Sequence, residues 1–389
     1  MLTPAPSPIP YGRQQITEAD KAAVLRVLDS DFLTQGPEIP AFEAAFASYV
    51  QAAGAVAVAN GTAALHLCAL ALGIEPGQKV IVPPITFAAS ANCVRYAGGE
   101  PDFVDIEPDT YLLSLELTRQ RLAAAPRGTY AGIIPVDFAG YPANLEAFRQ
   151  LADEYGCWLL EDSCHAPGAW FTDSQGKRSA AGSGNYADLA IFSFHPVKHI
   201  ASGEGGMVSG SKRKLLDQVA LLRTHGITRD ADKLIENHGG WYHEMQELGY
   251  NYRLPDMLAA LGHSQLLRAA QNLERRQAIA RRYDTELAGL PLTLPYRAAD
   301  IHHAFHLYVV QTEQRKALYD FLRALNIFTQ VHYIPCHLHP YYRGRGWKKG
   351  DLPVAEAYYE KCLSLPLYPS LTDEQQTFVI QAIRAFFGA

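Results

Sequence analysis

A chain of 389 residues, 48% hydrophobic and 19% charged, is long enough to bury a large core and predicts one big domain with a smaller one beside it. A net charge of −6 with no long run of like charge speaks against a nucleic-acid partner. No apolar run reaches the roughly 18 residues that a membrane-spanning helix needs.

The start of the chain, residues 1–13, is rich in proline and carries no apolar stretch of the secretory-signal kind. From Gly54 to about Gly210, short apolar runs alternate with helix-like stretches. The runs Ala55–Ala59, Val80–Val82, Phe103–Ile106, Gly132–Val136, Cys157–Leu160 and Leu189–Phe194 are continuous rather than alternating. That predicts strands buried on both faces of a mostly parallel sheet. Thr62–Leu72 and Ala143–Tyr155 have the length and spacing of covering helices. The expected class is therefore α/β, with a large domain over residues 1–255.

After Pro255 the character changes. Asp256–Leu287 reads as long helical material, with Leu266, Leu273 and Tyr283 among its apolar positions. Strand-like segments Leu307–Val310 and Phe328–His332 follow. The last helix opens with Thr372 and Gln375 in capping-box spacing, and Val379, Ile383 and Phe386 fall on one apolar face. These elements predict a smaller α+β domain over residues 256–389. The six cysteines (Cys68, Cys93, Cys157, Cys164, Cys336 and Cys362) are scattered and never in Cys-x-x-Cys spacing. No metal or redox motif is indicated, and a reduced, cytoplasmic protein is expected.

Three segments carry chemistry. Asn60-Gly61-Thr62-Ala63-Ala64 follows a strand and opens a helix, so backbone N–H groups there could meet an anion. Thr62 could equally be a plain cap. Leu159-Leu160-Glu161-Asp162-Ser163-Cys164-His165 ends a strand in an acidic pair at the carboxyl edge, where open α/β sheets bind ligands. A carboxylate there could hold a ring nitrogen protonated, or could serve only as a turn residue. Ser193-Phe194-His195-Pro196-Val197-Lys198 runs from a buried strand into a loop with a lysine, followed by Gly203-Glu204-Gly205-Gly206. Such a lysine either has the lowered pKa of a nucleophilic amine or is an ordinary solvated one.

Their order and spacing, with the aromatic Phe87 between the first two, resemble the fold-type I pyridoxal-phosphate (PLP) enzymes. More narrowly, the chain resembles the sugar aminotransferases of the DegT/DnrJ/EryC1/StrS family, from Tyr11-Gly12-Arg13 and Phe32-Leu33-Thr34-Gln35-Gly36-Pro37 to the C-terminal helix. The resemblance implies a seven-stranded type of central sheet and PLP as cofactor. It makes Lys198 the Schiff-base lysine and proton shuttle, and Asp162 the partner of the ring nitrogen. His165 would lie near the ring or its 3′-oxygen, and Phe87 would stack on the ring. Gly61, Thr62, the Ala63 backbone and Ser193 would hold the phosphate.

Leu248-Gly249-Tyr250-Asn251-Tyr252-Arg253-Leu254 matches the family's GYNYR segment. That implies a homodimer in which Asn251 reaches the phosphate in the neighbouring subunit. Tyr11, Arg253, His332 and Tyr333 are the implied substrate contacts. The implied substrates are a nucleotide-linked keto-sugar and L-glutamate. Family members that dehydrate sugars carry histidine in place of the lysine, so Lys198 favours transamination. Ile9–Gln14, Ser193–Lys198, Gln330–Pro335 and Pro340–Tyr342 look most like the aminotransferases of pseudaminic acid synthesis. The expected product is then UDP-4-amino-4,6-dideoxy-N-acetyl-β-L-altrosamine. The alternatives are another dTDP-, GDP- or UDP-linked 3- or 4-keto sugar, or a sugar dehydratase.

Overall fold

The computed structural model describes residues 2–389. Seven strands make the central sheet: β1 (Gly54–Val58), β2 (Lys79–Val82), β3 (Glu100–Phe103), β4 (Tyr130–Ile133), β5 (Trp158–Asp162), β6 (Leu189–Ser193) and β7 (Gly206–Gly210). Their spatial order is β1-β7-β6-β5-β4-β2-β3. All pairings are parallel except the two that β7 makes, with β1 and with β6. Ile81, Val82, Leu159, Leu160, Ile191 and Phe192 are fully buried. Helices on both faces leave these strands no wet side, which is why their sequences run apolar without alternation.

Two of the apolar runs are displaced from the strands they belong to. Phe103–Ile106 begins where β3 ends, and Gly132–Val136 overlaps only the second half of β4 (Tyr130–Ile133). In both, the apolar residues past the strand continue into a buried loop, so burial outlasts the ladder. The segment Gly203–Gly206 leads into β7, a strand that its small residues hide from a hydropathy reading. Gly206 is needed there because a Cβ would sit 2.5 Å from the Asn60 carbonyl oxygen. That close approach seats the turn after β1 beside the end of β6.

Asp256–Leu287 divides into two helices, Asp256–Leu266 and Ala269–Glu286. Phe328–His332 is strand only to Phe328, as Ile327–Phe328. The last helix, Asp373–Phe387, is capped as expected, with Gln375 N–H on Thr372 Oγ1 and Thr372 N–H on Gln375 Oε1, both at 3.1 Å.

A second core gathers Ile279, Tyr283, Tyr308, Leu322, Leu365 and Ile383 around the antiparallel pair Tyr308–Gln311 and Cys362–Leu365. Ile9–Pro10 joins it by pairing in parallel with Ile327–Phe328. The N-terminal segment therefore packs with the C-terminal part of the chain before Tyr11 turns toward the central sheet.

Gly206→Ala tests how tightly the sheet edge is closed. The added methyl should cost about 1–3 kcal/mol through forced backbone movement, seen as a lower midpoint in denaturant with an unchanged slope. An unchanged midpoint would mean that the Asn60 turn yields freely.

Candidate active site

β1, β5 and β6 run parallel, so Asn60, Asp162 and Ser193 arrive at one edge of the sheet. A cavity of about 430 Å³ opens there, lined in part by Gly61, Thr62, Asp162, Ser193 and Lys198. Tyr11, Phe87, His165, His332 and Tyr333 complete the set of expected residues on its walls. Ala63 is buried behind the wall, and its N–H is taken by Asn60 Oδ1 at 2.8 Å. Asn60 thus caps the helix Gly61–Ala71, which leaves the Thr62 hydroxyl uncommitted. The first N–H groups of a helix have no partner within it. With the hydroxyls of Thr62 and Ser193 they form a cradle for a phosphate dianion.

Asp162 ends β5 almost completely buried. Its Oδ2 accepts from Ser90 Oγ at 2.7 Å and its Oδ1 from the Cys164 N–H at 3.2 Å. Glu161 points to the other face, as alternation along a strand requires. It accepts from the Gly182 N–H and shares the Ser163 hydroxyl with Asp137. Burial pushes Glu161 well above the ordinary carboxyl range and Asp137 up to about 6.

Lys198 follows β6, its N–H on the His195 carbonyl at 2.8 Å. Desolvation lowers its ammonium below the ordinary lysine range, against the nearby Asp162 carboxylate, which favours the proton. His165 Nδ1 accepts the Ala139 N–H at 3.3 Å, so the neutral ring carries its proton on Nε2, 3.3 Å from Tyr333 Oη. Burial, then the charge of Lys198, holds His165 well below its usual range. Its ring lies 4.2 Å from that of His306. His332 bonds Ser364 Oγ through Nδ1 at 2.8 Å and lies 5.0 Å from the Tyr11 ring. Phe87, 63% exposed, stands at the wall 6.5 Å from the Tyr333 ring. A large aromatic face left open beside a cavity suits a planar ligand.

Asn251 and Arg253 do not line this cavity. Asn251 is exposed, and its backbone bridges to Thr224. Thr86, Ser90 and Cys164 also line it; Cys164 lies in the Leu159–His165 segment, but the sequence assigns none of the three a role. The one signal for the first two is a pair of hydroxyls four residues apart.

The residues fit PLP in its two most demanding parts. Helix-start donors and two hydroxyls meet its phosphate, and a buried carboxylate faces the same space as a desolvated lysine. The fold and this site make the chain a fold-type I, PLP-dependent aminotransferase. The sequence profile of the DegT/DnrJ/EryC1/StrS aminotransferase family matches residues 14–384, and the chain belongs to that family.

It is 37% identical over 385 residues to the spore coat polysaccharide biosynthesis protein SpsC of Bacillus subtilis, covering 97% of this chain and 96% of that one. The structure of DesV from S. venezuelae superposes with a TM-score of 0.86 at 36% identity, covering 95% of this chain and 94% of the other. PseC of Helicobacter pylori, an aminotransferase involved in the biosynthesis of pseudoaminic acid, gives 0.88 at 27% identity over 98% and 100%. Similar structures hold PLP and its amino form, PMP. The protein is accordingly a sugar aminotransferase, and family membership implies nucleotide-sugar and glutamate substrates. No helix among the described residues is long and apolar enough to cross a membrane.

The buried histidines set a pH dependence of stability. Burial lowers His165, His199 and His306 well below their usual range and His303 and His332 to about 3. The unfolded chain protonates them near pH 6.5, so it binds the extra protons and stability falls as pH drops below about 6.5. Asp137 and Glu161 act oppositely, holding protons in the folded chain above about pH 4, Asp137 up to about 6. Five groups outweigh two. The denaturation free energy should drop by about 1.4 kcal/mol per pH unit for each net proton, visible in urea titrations at pH 7.5, 6.5 and 5.5. A flat or rising profile would contradict the neutral, buried imidazoles.

Proposed function

We propose that the protein transfers the amino group of L-glutamate to the C4 keto group of a UDP-linked 4-keto-6-deoxy-N-acetylhexosamine, the aminating step toward pseudaminic acid. The observation that carries the transaminase reading is the desolvated Lys198 beside Asp162 in a cavity with an anion cradle. The choice of sugar draws support from the full-length likeness to PseC. A second reading follows from the higher identity to SpsC: a different nucleotide-linked keto-sugar destined for a surface polysaccharide.

When bound, PLP supplies an electron sink for a carbanion. Gly61, Thr62 and Ser193 would hold its phosphate, Phe87 would cover one face of the ring, and Asp162 would keep the ring nitrogen protonated. The His165 Nε2–H is a donor for an oxygen on the ring. Lys198 holds the cofactor at rest. Once released by the incoming amine, its Nζ takes the proton from glutamate Cα and later returns one to the sugar C4. Desolvation lowers its pKa from the ordinary lysine range, which eases release of its proton. His332, Tyr333 and Tyr11 form the wall where the sugar would lie.

The active unit is a homodimer in this reading. Asn251 and Arg253 stay out of their own cavity, and the segment before them exposes Ile235, Trp241, Met245 and Leu248. A second copy covering that apolar surface would receive both residues in its own site. All six cysteines are free thiols, in keeping with a cytoplasmic enzyme.

Three experiments decide these points. Lys198→Ala should retain PLP only by contacts and lose at least about 10³-fold in turnover. Wild-type rates in that variant would remove Lys198 from the chemistry. With the wild-type PLP enzyme, a panel of nucleotide amino-sugars is run in the reverse half-reaction, in which the amino-sugar becomes the keto-sugar and PLP becomes its amino form, PMP. Fastest reaction of UDP-4-amino-4,6-dideoxy-N-acetyl-β-L-altrosamine supports the proposed sugar, and another winner replaces it. Separately, Trp241→Glu with Leu248→Glu should shift sedimentation from dimer to monomer and abolish activity, whereas an unchanged species would place the interface elsewhere.

A further inference from the structure

The hydroxyls of Thr86 and Ser90 have no task in the scheme above, yet both are buried in the cavity wall next to Phe87. Ser90 lies in the first turn of the helix Ala89–Tyr96, and Thr86 precedes that helix. Their oxygens are 2.7 Å apart. Ser90 Oγ is also 2.7 Å from Asp162 Oδ2 and 3.3 Å from the Phe87 carbonyl oxygen.

A serine has one proton to give. The short bond to a carboxylate is much the stronger of the two options, so the proton goes to Asp162. Ser90 must then accept from Thr86. The result is a one-way chain, Thr86 O–H to Ser90 O–H to Asp162. The other carboxylate oxygen takes the Cys164 N–H at 3.2 Å. With one donor on each oxygen, rotation of the carboxylate about its soft χ2 breaks a hydrogen bond in either direction. The lone pairs left over belong to the cavity.

We propose that Ser90, itself oriented by Thr86, is the positioning residue that holds the Asp162 carboxylate in the direction from which it engages the cofactor's ring nitrogen. The inference rests on the role given above to Asp162. A residue that merely filled space at position 90 could be valine. One that holds a carboxylate needs its hydroxyl, and threonine would keep it.

The test uses holoenzymes reconstituted with PLP labelled at the ring nitrogen with ¹⁵N, comparing wild type with S90V, S90T, T86V and D162N. Three readouts are taken: the ¹⁵N chemical shift of the ring, the single-turnover rate with L-glutamate, and the thermal midpoint. S90V should move the ring-nitrogen resonance toward the unprotonated value and slow the glutamate half-reaction about 10-fold or more. The glutamate concentration for half-maximal rate should change far less, and S90T should restore both signals. T86V should shift both in the same direction by a smaller amount. It carries the test alone if S90V fails to fold or to retain cofactor. Wild-type resonance and rate in a folded S90V, or in T86V where S90V cannot be used, would overturn the proposal. If D162N itself leaves the resonance and rate unchanged, the role of Asp162 fails and the proposal falls with it. A D162N effect without an S90V effect overturns the Ser90 inference alone.

Discussion

Everything at this site depends on keeping an amine and a carboxylate together where water is scarce. Desolvation alone would drive Lys198 toward the neutral base, while the neighbouring Asp162 carboxylate pulls the other way. An amine held between those influences can act as a nucleophile or a base without being permanently uncharged. The same scarcity of water makes an anion such as Asp162 expensive unless donors meet it, and Ser90 and the Cys164 N–H do so. Neither group could sit there on an exposed loop. The strand ends of β5 and β6 bring them to one dry edge because the sheet is buried on both sides.

The histidines around the cavity follow from that constraint. Any permanent positive charge near Lys198 would drive its proton off and compete with it for Asp162. His165, His199, His306 and His332 are all pressed below their usual range by burial, with the Lys198 charge adding to the effect in each. They therefore act as neutral, polar surfaces. His165 shows how such a ring is oriented: the Ala139 N–H fixes its tautomer, and the tilted His306 ring packs against it at 4.2 Å. Glu161 is turned to the far side of β5, where burial raises both it and its neighbour Asp137 above the ordinary carboxyl range and the two share the Ser163 hydroxyl.

The parts of this arrangement that could be read from sequence are those set by local pattern. Continuous apolar runs marked the buried strands, and the capping box marked the last helix. Lys198, Asp162 and the Asn60–Ala64 turn stood out because each lies just past a strand. What escaped were features that depend on distant partners. β7 carries glycine and serine because backbone and β1 crowd it, so hydropathy did not betray it. The cap at Gly61 is Asn60 rather than Thr62, a choice made by the extended backbone at Asn60. Ser90 reads as one more small residue in a short helix until β5, far away in sequence, brings Asp162 against it. Phe328–His332 has a strand's composition but keeps only a single bridge, Gln330 to Ser364, after Phe328, and the chain then places His332 and Tyr333 on the cavity.

That last departure separates two sources of the site. The donors for PLP come from strand ends and helix starts of the central sheet, elements whose positions a parallel sheet dictates. Tyr11 and His332 come instead from segments tied to the second core: the Leu367 N–H bonds the Tyr11 carbonyl at 2.9 Å, and His332 Nδ1 lies 2.8 Å from Ser364 Oγ, between Leu363 and Leu365 of that core. The Cys336 N–H bonds the Pro84 carbonyl at 2.8 Å, stitching this segment to the loop that carries Thr86 and Phe87. A change in the second core can thus reshape the cavity wall at Tyr11 and His332 while the Lys198–Asp162 pair stays in register. Chemistry shared across a family and selectivity peculiar to one member then reside in different packing units. This is why one set of motifs is compatible with proteins as different in their named tasks as SpsC and PseC.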